Sequence, residues 1–464
     1  MRTVLLFALA VLPVCAQQVR LPNYTRQVLP NGVVLDLMPK RGVPLITIQA
    51  VVRGGAEADP PDRAGLQWLT AELLRRGTTT RSAEQFANQI DSLGASFDTH
   101  TNEHASYVTF EFLSKDRQTA VPLLADALLH PAFSESEVKQ RTAQAVDAAK
   151  ALKDEPNQAA RLYFRSFFFG LKHPYGRPIR GDELSLTRIT RNDIVQSHQR
   201  LYTGKNLLLI AIGDFDPAEL GPQLAQAFGS LAPGQAYSFV PPPQTPPAKS
   251  PRLLVINKPD ATQTYFYIGQ PGISRTNPDR VPLLLVNTLF GGRFTSMLND
   301  ELRVNSGLTY GAGSSLSQQR LPGVLQISTY TKTETTGKAV DLALEVLRRL
   351  GEKGLTAEQL SSAKAYVKGT YPTEHLETAD QLADLLTDLE LNDLTREDVD
   401  SLFRRIDAVT LEQANAVARK YYRSENLTFV MLGNSDKILS EIKKYAPKPV
   451  IVPVTNPGFV TPGE

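Results

Sequence analysis

The sequence predicts an α+β protein built from two homologous halves, on three observations. Strand-like and helix-like stretches alternate in blocks rather than as strict βα units. Two segments repeat: Thr190 to Gly213 reads TRNDIVQSHQRLYTGKNLLLIAIG, and Thr410 to Gly433 reads TLEQANAVARKYYRSENLTFVMLG. The opening Thr, the Tyr before the loop, the Asn that opens the strand and the closing Gly recur at one constant offset, as a tandem duplication would leave them. Between the copies, Tyr237 to Pro251 reads YSFVPPPQTPPAKSP, too dense in proline to join a helix or a central strand. It is read as an extended, semi-rigid linker.

A chain of 464 residues with a net charge of +2 has room for two large units and implies no nucleic-acid or anionic-membrane partner. Met1-Arg2, the apolar run Val4 to Val14 and the Val14-Cys15-Ala16 site read as a signal peptide, residues 1–16, cleaved after Ala16. The run is short for a membrane span. A lipoprotein anchored at Cys15 is the alternative. Cys15 is the single cysteine, so the mature chain would hold neither disulfides nor thiolate metal ligands. The protein is therefore expected to be exported, periplasmic or extracellular. The predicted units are a first half over 17–236, the linker over 237–251, a second half over 252–448 and a poorly ordered tail over 449–464.

Residues 17–27 form a polar leader. Val28 to Leu37 and Leu45 to Arg53 alternate apolar and polar residues around Pro30-Asn31-Gly32 and read as an opening hairpin or paired strands. Helical spacing follows over Ala64 to Arg76 and Ser82 to Ser92. Ser96 to Leu113 alternates throughout and reads as one strand. Helices are expected up to Phe169 and over Thr190 to Tyr202, then a strand over Asn206 to Gly213 and a helix from Pro217 to Phe228. Pro61-Asp62-Arg63, before the first half's helix, is echoed by Pro278-Asp279-Arg280 in the second.

The stretch from Gly291 to Ser315, GGRFTSMLNDELRVNSGLTYGAGSS, carries the chemistry of the second half. A short helix with Met297, Leu298 and Leu302 at helical spacing ends at Asn305-Ser306-Gly307, and a strand-like run follows. Arg303 and, seven residues on, Tyr310 offer a guanidinium fork and a phenol. Converging on one point, they could hold a carbonyl oxygen as negative charge builds on it. Taken alone, they could equally be a surface ion pair and a packing residue.

This stretch resembles the second-half motif of the M16 (insulinase, pitrilysin, mitochondrial processing peptidase) family, of the form GG…S…L…ELR…GL.Y. The HPYGRP…G run at His173 to Gly181 and Asp214-Phe215-Asp216-Pro217 are further family-like signatures. The resemblance implies two homologous α+β halves closed like a clam shell around a peptide-holding chamber. It implies that Arg303 and Tyr310 complete a zinc peptidase site. The family's zinc motif, His-x-x-Glu-His, belongs on the first helix of the first half, where two His one turn apart reach one ion. In that frame Trp68 stands for the first His, Ala71 for the Glu and Glu72 for the second His, while the distant third ligand falls near Ala148. No metal site is expected there.

Downstream, His100, Glu103 and His104 spell the motif literally, but on a regular strand residues four apart lie roughly 13 Å from each other. They are the low-ranked alternative ligands, and the basis of an alternative reading as a self-sufficient zinc peptidase. The resemblance points instead to a zinc-less subunit that pairs as a heterodimer with an M16 chain carrying HxxEH. Zinc is then expected in that partner and no cofactor in this chain, which would be inactive alone. The complex would hydrolyse peptides, captured as extended strands along a sheet edge. A non-catalytic scaffold or peptide-binding role is the alternative from another class.

Overall fold

A computed structural model describes residues 19–242 and 248–460. The signal-peptide and Cys15 readings lie outside the described residues, as does the centre of the Pro-rich run. Its flanks, 237–242 and 248–251, hold neither helix nor strand.

The first half contains β1 (Thr25–Val28), β2 (Val34–Pro39), β3 (Leu45–Arg53), β4 (Ser96–Thr101), β5 (Ala105–Leu113) and β6 (Leu207–Gly213), in the spatial order β1-β2-β6-β3-β5-β4. Every residue of β6, LLLIAIG, is buried, as a central strand covered on both faces requires. The second half contains β7 (Arg252–Asn257), β8 (Gln263–Pro271), β9 (Ile273–Ser274), β10 (Ala312–Gln319), β11 (Pro322–Lys332), β12 (Thr428–Gly433) and β13 (Val450–Pro453). Their order is β13-β7-β12-β8-β11-β10-β9. The duplication is visible in strand direction: β6 runs parallel to β2 and antiparallel to β3, and β12 runs parallel to β7 and antiparallel to β8. Thr190 and Thr410, the repeat's opening residues, both cap their helices through a capping box.

One face of the first sheet packs under its own helices, including Leu66–Leu73, Arg117–Leu129, Arg191–Leu201 and Pro217–Phe228. The other face presents Met38, Val51, Leu208, Ile210 and Ile212 to Leu382, Ala383, Leu386 and Leu389 on a helix of the second half, Ala379–Leu391. The reciprocal contact sets Ala159, Ala160, Tyr163 and Phe164, on Pro156–Phe169 of the first half, against Leu254, Ile256 and Val430 of the second sheet. Each half thus lends a helix to cover the other. A buried Leu contributes about 1.5–3 kcal/mol, so three such leucines on one exchanged helix tie the halves firmly together. The polar register matches: Gln49 Nε2 donates to Asp384 Oδ1 at 3.0 Å and Thr387 Oγ1 donates to Gln49 Oε1 at 2.9 Å.

This packing corrects the clam-shell expectation within one chain, because the faces that would line an open chamber are filled by the exchanged helices. Three local expectations also change. β2 and β3 do not pair, since β6 lies between them. The single strand expected over Ser96 to Leu113 is the hairpin β4–β5. Asn102 breaks it by accepting the backbone N–H groups of His104 and Ala105 at 2.8 and 2.9 Å. The described part of the tail, 449–460, is ordered: β13 extends the second sheet beside β7, and Phe459 is buried against Tyr163. The stretch Arg280–Asn305 is long and apolar enough to cross a membrane, and 61% of its apolar 18-residue window is buried inside the protein.

Candidate functional site

The helix Leu66–Leu73 is buried at every position, so its placement is tightly specified. Gly65 precedes it at φ 95°, and a Cβ there would come within 2.8 Å of the Gly181 nitrogen. Only glycine meets both demands. The Asp59 carboxylate accepts the N–H groups of Gly65 and Gln67 at 2.8 and 2.9 Å, closing the helix start.

Trp68 is buried with two guanidiniums near its ring, Arg141 at 5.1 Å and Arg180 at 6.0 Å from the centroid. Glu72, one turn on, accepts from Arg141 Nη2 at 2.7 Å, Arg75 Nη2 at 3.1 Å and the Thr99 hydroxyl of β4 at 2.8 Å. Burial opposes its ionisation, but the Thr99 hydrogen bond and the two arginines outweigh that and hold the carboxyl below its ordinary range. Arg141 belongs to the helix Glu135–Ala151, two turns before Ala148, which is solvent-exposed. These residues do not fit a zinc ion: an indole and a methyl group offer no ligand, and the remaining carboxylate is committed to two cations. Nothing in a lone sequence marks Arg75, Arg141 and Arg180 as neighbours, because they come from three separate segments.

His100, Glu103 and His104 go three ways. His100 lies on β4 with its ring tilted against Tyr107, 5.6 Å between centroids. Glu103 pairs with Arg165 of the exchanged helix Pro156–Phe169. His104 sits in the hairpin turn, Nδ1 2.8 Å from the buried Glu57 carboxylate, which also takes Arg320 of the second half at 2.9 Å. The argument from strand spacing therefore does not hold, since a turn intervenes. What separates the three is their separate partners. Among the described residues, no group of three or more His, Cys, Asp or Glu side chains could hold a metal ion.

Between β4, β5 and the exchanged helix Ala379–Leu391 lies a cleft of about 570 Å³. Asp98 and Glu111 face it from the first half, Asp380 and Asp384 from the second. Burial raises the Asp380 pKa, and the charges of Glu111, Asp384 and Asp98 raise it further.

Arg303 and Tyr310 lie elsewhere, on the outer surface of the second half. The expected short helix is Met297–Asn299, capped by the Ser296 side chain, and it widens into a π-type coil through Asn305. β10 begins only at Ala312, so Tyr310 precedes the strand rather than lying in it. The Arg303 guanidinium stacks over Phe294, 4.7 Å from the ring centroid. Phe294, Val304 and Tyr310 are 67%, 65% and 80% exposed.

Residues 40–183 match the family model described as Insulinase (Peptidase family M16), and residues 188–367 match the one described as Peptidase M16 inactive domain. The chain is 28% identical over 398 residues to an uncharacterized zinc protease of Mycobacterium tuberculosis, covering 85% of this chain and 90% of that protein. It is 24% identical over 396 residues to the non-peptidase homolog YmxG of Helicobacter pylori, with 85% and 90% covered. Among solved structures, the peptidase M16 inactive domain from Pseudomonas fluorescens aligns with a TM-score of 0.81 at 23% identity, over 89% of this chain and 98% of that one. A protease from Helicobacter pylori aligns with a TM-score of 0.80 at 19% identity, over 89% and 100%. With the two M16 models matching successive stretches of the sequence, and the duplicated fold shared with solved M16 domains, the chain belongs to peptidase family M16.

Proposed function

We propose that this chain is the non-zinc-binding subunit of an exported two-chain zinc metallopeptidase, and that it supplies Arg303 and Tyr310 to the active site of a partner carrying HxxEH. The observation that carries the reading is the surface around that pair. Phe294 holds the guanidinium by its face, and Val304 and Tyr310 of the same stretch are exposed. A guanidinium prepositioned on an aromatic face loses little freedom when it meets a carbonyl oxygen. In the complex both groups donate hydrogen bonds to the substrate carbonyl as negative charge accumulates, lowering the barrier to peptide hydrolysis. In the family's ligand positions this chain's own first helix offers one carboxylate, Glu72, already shared by two arginines, which fits the division of labour. Relatives bearing both kinds of name, zinc protease and non-peptidase homolog, are compatible with either fate of an M16 chain.

The test pairs the purified chain with an HxxEH-containing M16 chain and follows hydrolysis of an unstructured peptide. Arg303→Ala and Tyr310→Phe should each cut turnover on the order of a hundredfold, while the subunits still associate. A loss below about threefold in both variants sinks the assignment and favours the scaffold role.

A further inference from the structure

Arg303 and Tyr310 sit on separate segments, and two buried polar side chains hold those segments. We infer that Thr329 and Asn299 are positioning residues for Tyr310 and Arg303, an inference that rests on the partner-site reading above. Tyr310 lies between the Arg303 coil and β10, with Thr309 before it and Gly311 after it. The Thr329 hydroxyl, on β11, donates to the Gly311 carbonyl at 2.8 Å and lies 3.2 Å from the Thr309 hydroxyl. The Thr309 hydroxyl oxygen accepts the Gly311 N–H at 3.2 Å. The backbone is thus gripped on both sides of Tyr310, while Tyr310 itself stays exposed. The start of the segment is tied to the coil, where the Arg303 carbonyl accepts the Gly307 N–H at 3.1 Å and the Leu302 carbonyl that of Leu308 at 2.9 Å.

Asn299 serves the Arg303 side. It is buried about one helical turn before Arg303. Its Nδ2 donates to the Phe294 carbonyl at 2.7 Å, and its Oδ1 accepts the Ala312 N–H at 3.3 Å. Phe294 is the residue whose ring carries the Arg303 guanidinium, and Ala312 opens β10 just beyond Tyr310. One side chain therefore links the platform of the first donor to the segment of the second. Neither group is what its secondary structure favours. A valine at 329 would fill the same space in a strand, and an asparagine in a helix competes with its own backbone. Both polar groups are paired, and their partners are the backbone around the two donors. Stabilising an oxyanion needs donors held where the charge develops, and a displacement of about 1 Å can cost on the order of a hundredfold. An exposed phenol gets little hold from side-chain packing, so its backbone has to supply it.

The experiment uses the complex with an HxxEH-containing M16 chain and an unstructured peptide as substrate. Thr329→Val removes the hydroxyl and keeps the shape, and the Gly311 carbonyl retains the Thr309 hydroxyl as a donor at 3.1 Å, so the fold should hold. Turnover should fall about tenfold, short of the loss on removing a donor outright, with KM for the peptide unchanged. Thr329→Ser should restore it. In a Tyr310→Phe background Thr329→Val should have no further effect, because it acts through the phenol. Asn299→Leu should behave in the same way against an Arg303→Ala background. Where the buried Asn299→Leu variant fails to fold, the exposed Phe294→Leu replaces it in that comparison. A loss that persists undiminished in the Tyr310→Phe or Arg303→Ala background overturns the inference, as does a Thr329→Val loss that serine does not restore. Parent-like turnover in Thr329→Val and Asn299→Leu, beside full losses in Arg303→Ala and Tyr310→Phe, overturns this inference alone. Small losses in Arg303→Ala and Tyr310→Phe overturn the partner-site reading and this inference with it.

Discussion

Restoring the missing ligands should not be enough to restore a metal site, because Arg141 stands where the ion's charge would fall. The perturbation is a four-residue variant, Trp68→His, Ala71→Glu, Glu72→His and Ala148→Glu, made with and without Arg141→Met. Positions 68 and 72 lie one turn apart on the helix Leu66–Leu73, so two imidazoles there share a face. Arg141 Nη2 is 2.7 Å from the present Glu72 carboxylate. With metal–nitrogen distances of about 2 Å, a zinc ion held at residue 72 would lie roughly 5 Å from that guanidinium. A double and a single positive charge at that separation repel by about 6–7 kcal/mol at an effective dielectric constant of ~20. The Arg141 side chain is 20% exposed and can swing toward water, which reduces the net penalty to about 2–3 kcal/mol. Zinc should therefore bind roughly 30- to 150-fold more tightly once Arg141 becomes methionine. Competition against a chelator of known affinity reads this directly, with circular dichroism as a check on folding. Equal zinc affinity with and without Arg141 would refute the claim that electrostatics, and not ligand loss alone, closes this site to metal.

Two further outcomes follow from the packing of the halves. Asp380 has a raised pKa in the folded state, through burial and then the carboxylates Glu111, Asp384 and Asp98, so folding loses stability as pH rises through its folded value. Asp380→Asn should gain on the parent in urea unfolding above the carboxylate range and converge with it in acid; an advantage independent of pH contradicts this. Phe459→Ala empties a buried site against the Tyr163 ring, 5.1 Å between centroids, and should cost about 3 kcal/mol in thermal or urea unfolding. A cost under ~0.5 kcal/mol would mean that the tail does not clamp the halves.

Much of the fold was legible because the duplication wrote it twice. The Thr caps and the apolar runs LLLIAIG and TFVMLG are local signals, and each half corroborates the other. What escaped was non-local. A single Asn side chain turns one apparent strand into the hairpin β4–β5, yet its alternation of apolar and polar residues continues across the turn. The exchanged helices Pro156–Phe169 and Ala379–Leu391 are amphipathic in sequence, but amphipathicity does not say whose sheet a helix will cover. The ordered tail escaped for the same reason, since Phe459 finds its partner Tyr163 in the opposite half.

The candidate sites divide along the same line. Arg303 and Tyr310 stand out in the sequence through a motif whose spacing is local, but neither the exposure of Tyr310 nor the Phe294 platform under Arg303 could be read from it. The residue types at Trp68, Ala71 and Glu72 are plain in the sequence, but the arginines gathered around them are not. The helix keeps its place without a metal because its determinants are independent of one: Asp59 closes its start, Gly65 makes the close approach to Gly181, and its remaining faces are buried. A scaffold held in this way can exchange a cation-binding carboxylate and imidazoles for an indole between guanidiniums without refolding. The same insulation of scaffold from site lets one fold carry relatives named as zinc proteases and as non-peptidase homologs.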